Sequence, residues 1–182
     1  EYQLIYDFAL DKKQNQIILL SPYGFIQSYS LEGDFIEKKV LPVKPNYYSI
    51  DWVDADHWVL WSCVNEEEEG ITLVDRDSMN RTNGYWHNDR ILDMGIMKPF
   101  YSYEGQLYFT TAYQNVVYEV ETDTLRPSYQ WDFGREGIHA DLLEKYLSIE
   151  NEGQRNDQLL NDLADGNFPF AMTVHHQNKR FY

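Results

Sequence analysis

The chain has 182 residues, 43% of them hydrophobic and 16% aromatic, enough apolar side chain to bury a core and too much for a disordered segment. Thirty acidic residues against 15 basic ones give a formal charge of −15, a field that repels phosphate backbones; no basic stripe opposes it, so nucleic-acid binding is excluded. No apolar run reaches the roughly 18 to 20 residues of a membrane helix, and the length suits one domain or part of a larger one.

A single cysteine, Cys63, cannot close an intrachain disulfide and leaves the redox compartment open. It sits in the aromatic run Trp58–Cys63, where a free thiol serves as a small buried hydrophobe. The sequence opens at Glu1-Tyr2-Gln3-Leu4 straight into strand-like residues, with no basic-then-apolar leader. A mature product, a trimmed one or a fragment is expected.

Taken in order, Tyr6–Leu10 reads as a short strand ended by the polar Asp11–Asn15 turn. Ile17–Leu20 and Phe25–Leu31 follow, joined through Pro22-Tyr23-Gly24, and a tight turn at Glu32-Gly33-Asp34 leads to Phe35–Leu41. These four strands form one meander. The same grammar returns in Tyr48–Val53, Trp58–Val64, Ile71–Asp75 and a fourth strand near Thr82–His87. It returns again in Pro99–Tyr103, Leu107–Ala112, Val116–Glu121 and Leu125–Phe133. Third strands begin near Ile26, Ile71 and Val116, 45 residues apart each time. A period of about 40 to 50 residues with four strands per unit is the signature of propeller blades. A β-sandwich also has many short strands, but nothing in it would maintain that spacing. The expected class is all-β: a partial propeller of about three four-stranded antiparallel blades over 6–43, 48–92 and 99–134.

After Gly134 the period changes. Ile138, Leu142, Tyr146 and Ile149 fall at helical spacing, and Asp157–Ala164 is a second candidate helix stopped by Asp165-Gly166. The span 135–166 is therefore read as a helical insertion. Phe170–His175 and Lys179–Tyr182 resemble the first two strands of a further blade over 170–182. Propellers close with about four to eight blades. Three blades and a beginning leave an apolar face at each end, so either the chain is a piece of a longer ring, the favoured reading, or copies associate through their open blade edges.

The run from Leu10 to Pro42 resembles an NHL-like repeat unit through Asn15, Ile17, Leu19, Ile26, Tyr29, Gly33, Phe35 and Ile36. The close of the third unit at Tyr129–Gly134, with the helical stretch after it, resembles the six-bladed β-propeller proteins of Bacteroidetes. That resemblance implies about half of a six-bladed ring and an extracytoplasmic, secreted or lipid-anchored setting. It carries no catalytic, cofactor-binding or metal residue onto positions here.

Residues that could carry chemistry are few. Glu66–Glu69 are consecutive and cannot converge on one cation, so a solvated loop is expected. Asp75-Arg76-Asp77-Ser78-Met79 begins like a calcium loop, but Met79 and Asn80 stand where an oxygen ligand and a glycine are needed. Of His57, His87, His139, His175 and His176, only the last two are close, and strand neighbours point to opposite faces. Ser30, Ser49 and Ser62 lack a nucleophile elbow, and no phosphate-binding glycine loop occurs. Trp52, Trp58, Trp61, Trp86 and Trp131 could stack on sugars or peptides, yet blade packing consumes large aromatics and is the favoured reading. Asn80-Arg81-Thr82 matches a glycosylation triplet, to which no role is assigned.

No catalytic residue, cofactor or metal is thus expected. The favoured function is an extracytoplasmic binding or scaffold module for a protein, peptide or glycan. The alternative is a carbohydrate- or lactone-active hydrolase or lyase at the channel mouth, discriminated by carboxylates near the ring axis with pKa values pushed apart; Asp51 and Asp54 are the residues to inspect.

Overall fold

The computed structural model describes residues 4–42, 47–62, 69–87, 98–110, 116–134 and 140–166. Within them stand three four-stranded antiparallel sheets, each a meander whose neighbours in space are neighbours in sequence. Blade 1 is β1 (Asp7–Asp11), β2 (Gln16–Ser21), β3 (Phe25–Ser30) and β4 (Phe35–Val40). Blade 2 is β5 (Tyr47–Trp52), β6 (His57–Ser62), β7 (Glu69–Asp75) and β8 (Arg81–His87). Blade 3 is β9 (Phe100–Tyr103), β10 (Gln106–Phe109), β11 (Val116–Val120) and β12 (Leu125–Gln130). The protein is all-β, a partial β-propeller, followed by the helices α1 (Ala140–Leu147) and α2 (Glu152–Ala164). The further strands expected over 170–182 lie outside the described residues.

Local chemistry explains the hairpins. Glu104 (φ 50°) and Gly105 (φ 82°) are both left-handed, which a two-residue type I′ turn requires, and Tyr103 pairs with Gln106 across it. Each third strand slips against its fourth, between Ser28 and Tyr29, between Leu73 and Val74, and between Val117 and Tyr118. The first two bulges are 45 residues apart, so the repeat extends to an irregularity that sharpens the twist toward the outer strand. No residue type announces these bulges.

Blades 1 and 2 come closest along their first strands. Tyr6 stacks on Tyr48 (5.2 Å between ring centres), Ser49 reaches Asp7, and the Trp52 indole N–H donates to the Leu10 carbonyl at 3.2 Å. β1 and β5 therefore run side by side in the same direction, at the inner edge of the ring. β4, whose residues are almost all exposed, lies at the outer edge.

Blade 2 is packed on both faces. Toward blade 1 its Ile50, Trp58, Leu60 and Val74 join Ala9, Ile18, Leu20 and Ile26 in one buried cluster. Toward blade 3 its Val59, Trp61, Ile71 and Leu73 meet Leu107, Phe109 and Val120 in another. Alternation along β6 and β7 produces this: period-two residues divide between the faces, and both faces are apolar. The outward face of blade 1 leaves Phe8, Leu10, Phe35 and Val40 exposed.

β10 ends at Phe109, where Thr110 still donates in register to the Pro99 carbonyl at 3.0 Å, and the remainder of the strand expected to Ala112 lies outside the described residues. One boundary differs from expectation. α2 starts five residues before Asp157. Asn151 caps it, its Oδ1 accepting from the Gln154 N–H at 3.0 Å, and the added first turn carries no apolar periodicity to reveal it.

Candidate functional site

Among the described residues, two clusters of charged side chains interrupt the apolar packing where blade 1 meets blade 2. The first is at the inner strands. Asp7, at the head of β1, is buried, yet its carboxylate is well supplied with donors. Oδ2 accepts from the Ser49 hydroxyl (2.6 Å) and the Ile50 N–H (3.1 Å), both on β5. Oδ1 pairs with the Lys98 ammonium at 2.6 Å, just ahead of β9. One carboxylate thus ties the inner edges of three blades together.

Asp51 lies beside this group on β5, partly buried. Burial is the largest influence on it and pushes its carboxyl up to about 6; the Trp52 N–H, donating at 2.8 Å, pulls it down, Asp7 raises it, and Lys98 and Lys12 lower it. Asp54 is different. It sits in the β5–β6 turn, accepting from the Asp56 N–H (2.7 Å) with His57 Nδ1 at 2.9 Å. Burial pushes Asp54 up, but the Asp56 N–H and the His57 ring outweigh it and hold the carboxyl below its ordinary value. The two carboxylates named from the sequence are thus shifted in opposite directions, and only Asp51 belongs to the inner cluster.

The second cluster flanks a cleft of about 80 Å³ between the face of blade 1 and the β7–β8 turn of blade 2. Arg76 reaches across to form a buried ion pair with Asp11, and its Nη1 donates to the Ala55 carbonyl at 3.2 Å. The guanidinium also lies 4.9 Å from the Trp52 ring centre. Asp11 is held from its own side by the Lys13 and Gln14 N–H groups, at 2.9 and 3.0 Å. Sequence inspection touched Arg76 only inside the discarded calcium-loop pattern. In the structure Asp75 of that pattern accepts from the Ser78 N–H (2.8 Å) and hydroxyl (2.6 Å), closing a turn.

The remaining candidates are placed as follows. Trp58 and Trp61 are buried in the two inter-blade clusters, and Trp52 stacks on Trp58. Trp131 meets Tyr129 edge-on at 5.7 Å. Cys63, Glu66 to Glu68, His139, His175 and His176 lie outside the described residues. Among the described residues, no three His, Cys, Asp or Glu side chains come together as metal ligands would, and no helix is long and apolar enough to cross a membrane.

Comparison with known proteins places this geometry. The fold resembles a Bacteroides fragilis protein described as exported, whose crystal structure superposes with a TM-score of 0.65 at 15% identity over 81% of this chain. The chain spans 44% of that protein's length. The computationally designed protein Ika4 gives a TM-score of 0.43 at 11% identity, covering 72% of this chain and 74% of its own, too low to bear on the fold. No curated protein matches the sequence. The family model DUF5128, described as a 6-bladed β-propeller, matches residues 1–177, and three four-stranded meanders agree with that description: the chain belongs to this family of 6-bladed β-propellers.

Proposed function

We propose that the chain is part of an extracytoplasmic binding or scaffold module that engages a protein, peptide or glycan. The observation that carries this reading is the state of the inner-strand carboxylates. Asp7 is committed to Ser49, Ile50 and Lys98, so both of its oxygens are engaged in joining blades 1, 2 and 3. A rigid frame with solvent-facing clefts between blades suits recognition. The description of the Bacteroides fragilis protein as exported supports the extracytoplasmic setting, and the NHL-like residues of blade 1 support a secreted or lipid-anchored relative of the Bacteroidetes propellers. The chain is taken as one propeller domain, with blades over 6–43, 48–92 and 99–134, a helical insertion over 135–166 and the start of a further blade over 170–182.

The hydrolase or lyase reading needs two carboxylates free to divide acid and base roles. Asp51 meets half of that condition and Asp7 does not. The test pairs peptide and glycan arrays with turnover assays on nitrophenyl glycosides and a simple lactone, and with fractionation of the source cell. Array binding without turnover, and protein in the extracytoplasmic fraction, is expected. Turnover lost in Asp51→Asn would replace the binding reading with the enzymatic one.

A further inference from the structure

We propose that the cleft between blades 1 and 2 is a ligand site that takes the basic side chain, lysine or arginine, of a peptide. The proposal rests on the binding-module reading and gives it a place and a ligand class.

The charge left over after pairing sets the sign of the ligand. Asp11, Glu37 and Asp77 line the cleft against Lys39 and Arg76, an excess of one negative charge. Arg76 pairs with Asp11. Lys39 Nζ lies 3.2 Å from Glu37 and donates to the Arg76 carbonyl at 3.3 Å, strapping the two blades together. Asp77 is what remains. It is exposed, and its carboxylate has neither an ion pair nor a hydrogen bond among the described residues. The chain as a whole, at −15, adds to the preference by drawing cations to its surface and turning anions away.

One exposed carboxylate at a rim is not a site, and the second observation lies deeper. Ser28, on β3 between Ile18 and Glu37, lines the cleft and is 3% exposed. Its hydroxyl makes no hydrogen bond among the described residues. The indole nitrogen of Trp58 also lacks a partner but is sealed from solvent; the Ser28 oxygen is not sealed. Buried polar groups in folded proteins are rarely left unpaired, so a partner within the cleft is called for. A single water takes about 10–15 Å³ of such space, whereas about 80 Å³ admits the end of a side chain.

The lining matches a group that only donates. An ammonium carries three donors and a guanidinium five, and neither accepts. Facing it are the Asp77 carboxylate at the rim, the Ser28 hydroxyl below, and the amide oxygens of Gln14 and Gln16. Ile18, Ile26 and Met79 supply an apolar surface for the aliphatic stem, which long basic side chains bury while their heads stay polar. The open mouth lets the peptide backbone stay in solvent.

The test follows the side-chain amide resonances of Gln14 and Gln16 in the 182-residue chain by proton–nitrogen correlation, assigned with Gln14→Ala and Gln16→Ala. Capped tripeptides, acetyl-Gly-X-Gly-amide, are titrated with lysine, arginine, glutamine or glutamate at X. The lysine or the arginine peptide should shift both signals saturably, while the glutamine and glutamate peptides leave them in place. Asp77→Asn and Ser28→Ala should each weaken that response about fivefold, the loss of roughly one surface ion pair or hydrogen bond, with the rest of the spectrum unchanged. Signals unmoved by either basic peptide at its solubility limit overturn the site. An equal shift with the glutamine peptide overturns the ligand class, and a basic-peptide response that Asp77→Asn leaves intact overturns the assignment to this cleft. Retention on peptide or glycan arrays with both signals unmoved refutes the cleft and leaves the binding module standing. Failure of both removes the two readings together.

Discussion

The two interfaces of blade 2 are built from different chemistry. Toward blade 3 the contact is dry at its centre: Val59, Trp61, Ile71 and Leu73 pack against Leu107, Phe109 and Val120, rimmed by Tyr48, Phe100 and Tyr118, with Asn83 donating to the Thr122 carbonyl at 3.3 Å as a neutral bond at the edge. Toward blade 1 an apolar centre of similar make-up is bracketed by polar groups, Asp7 with Ser49 and Lys98 at the inner strands, and Asp11 with Arg76 beside the cleft. Apolar burial is non-directional and supplies most of the stability, whereas a buried charge tolerates few geometries and costs heavily when a partner is lost. The dry interface therefore holds the blades together. The wet one fixes how they sit, and in doing so leaves a polar cleft.

The sharpest way to break this contrast is to empty the dry side. Phe109 is fully buried, with ring centres 5.3 Å from Trp61 and 5.7 Å from Phe100. Phe109→Ala should lower unfolding free energy by about 3–5 kcal/mol at every pH, read from urea midpoints. A loss near 1 kcal/mol would show that the aromatic cluster is not the main brace. On the wet side, Arg76→Ala strands the Asp11 carboxylate, which is 4% exposed, and should cost about 3 kcal/mol. Adding Asp11→Asn should recover part of that, because a neutral amide tolerates the loss of the guanidinium. Apolar truncation has no such rescue, so a double variant worse than Arg76→Ala alone would contradict the electrostatic account.

Asp51 gives a change of opposite sign. Its folded pKa of about 6 lies above the ordinary 3.8, so the folded chain penalises the charged form. Stability should fall as pH rises from about 4 to 6 and stay lowered above that range. Asp51→Asn removes the penalty. It should be more stable than the parent by about 2–3 kcal/mol at neutral pH and no different below about pH 4. Equal stability at all pH values would mean that the carboxyl is well solvated.

Most of the frame was legible in the chain. Period-two alternation marked the strands, glycine and proline marked the turns, and the spacing of Ile26, Ile71 and Val116 marked the repeat, because each is a local consequence of backbone geometry. The helix pair was legible from its apolar spacing, apart from the first turn of α2, where capping by Asn151 rather than apolar burial sets the start. The polar clusters were not. Asp7 meets Ser49 across 42 residues and Arg76 meets Asp11 across 65, and no local pattern encodes a contact made by stacking one blade on the next. Asp51 stood out as a carboxylate near an inner strand, but its neighbours Asp7 and Lys98 did not. Trp58 read as core in preference to a stacking platform, and its ring does pack against Trp52 in the buried cluster between blades 1 and 2.

The smallest expected effect tests whether Asp7 works as a shared brace. Ser49→Ala removes a 2.6 Å bond to Oδ2 but leaves the Ile50 N–H and Lys98 in place. A hydrogen bond to a charged group contributes about 1.5–3 kcal/mol, and the remaining donors should hold the loss near the lower end. Lys98 is 56% exposed, so Lys98→Met alone should cost less than about 1 kcal/mol. Together they leave a buried carboxylate with one donor from β5 and none from blade 3, and the double variant should lose more than the two single losses combined. That excess, measured as the coupling in a double-mutant cycle, separates a brace spanning three blades from two independent contacts. Strict additivity would reduce the inner cluster to two independent contacts, and the geometric constraint between blades 1 and 2 would then rest on Asp11 and Arg76 alone.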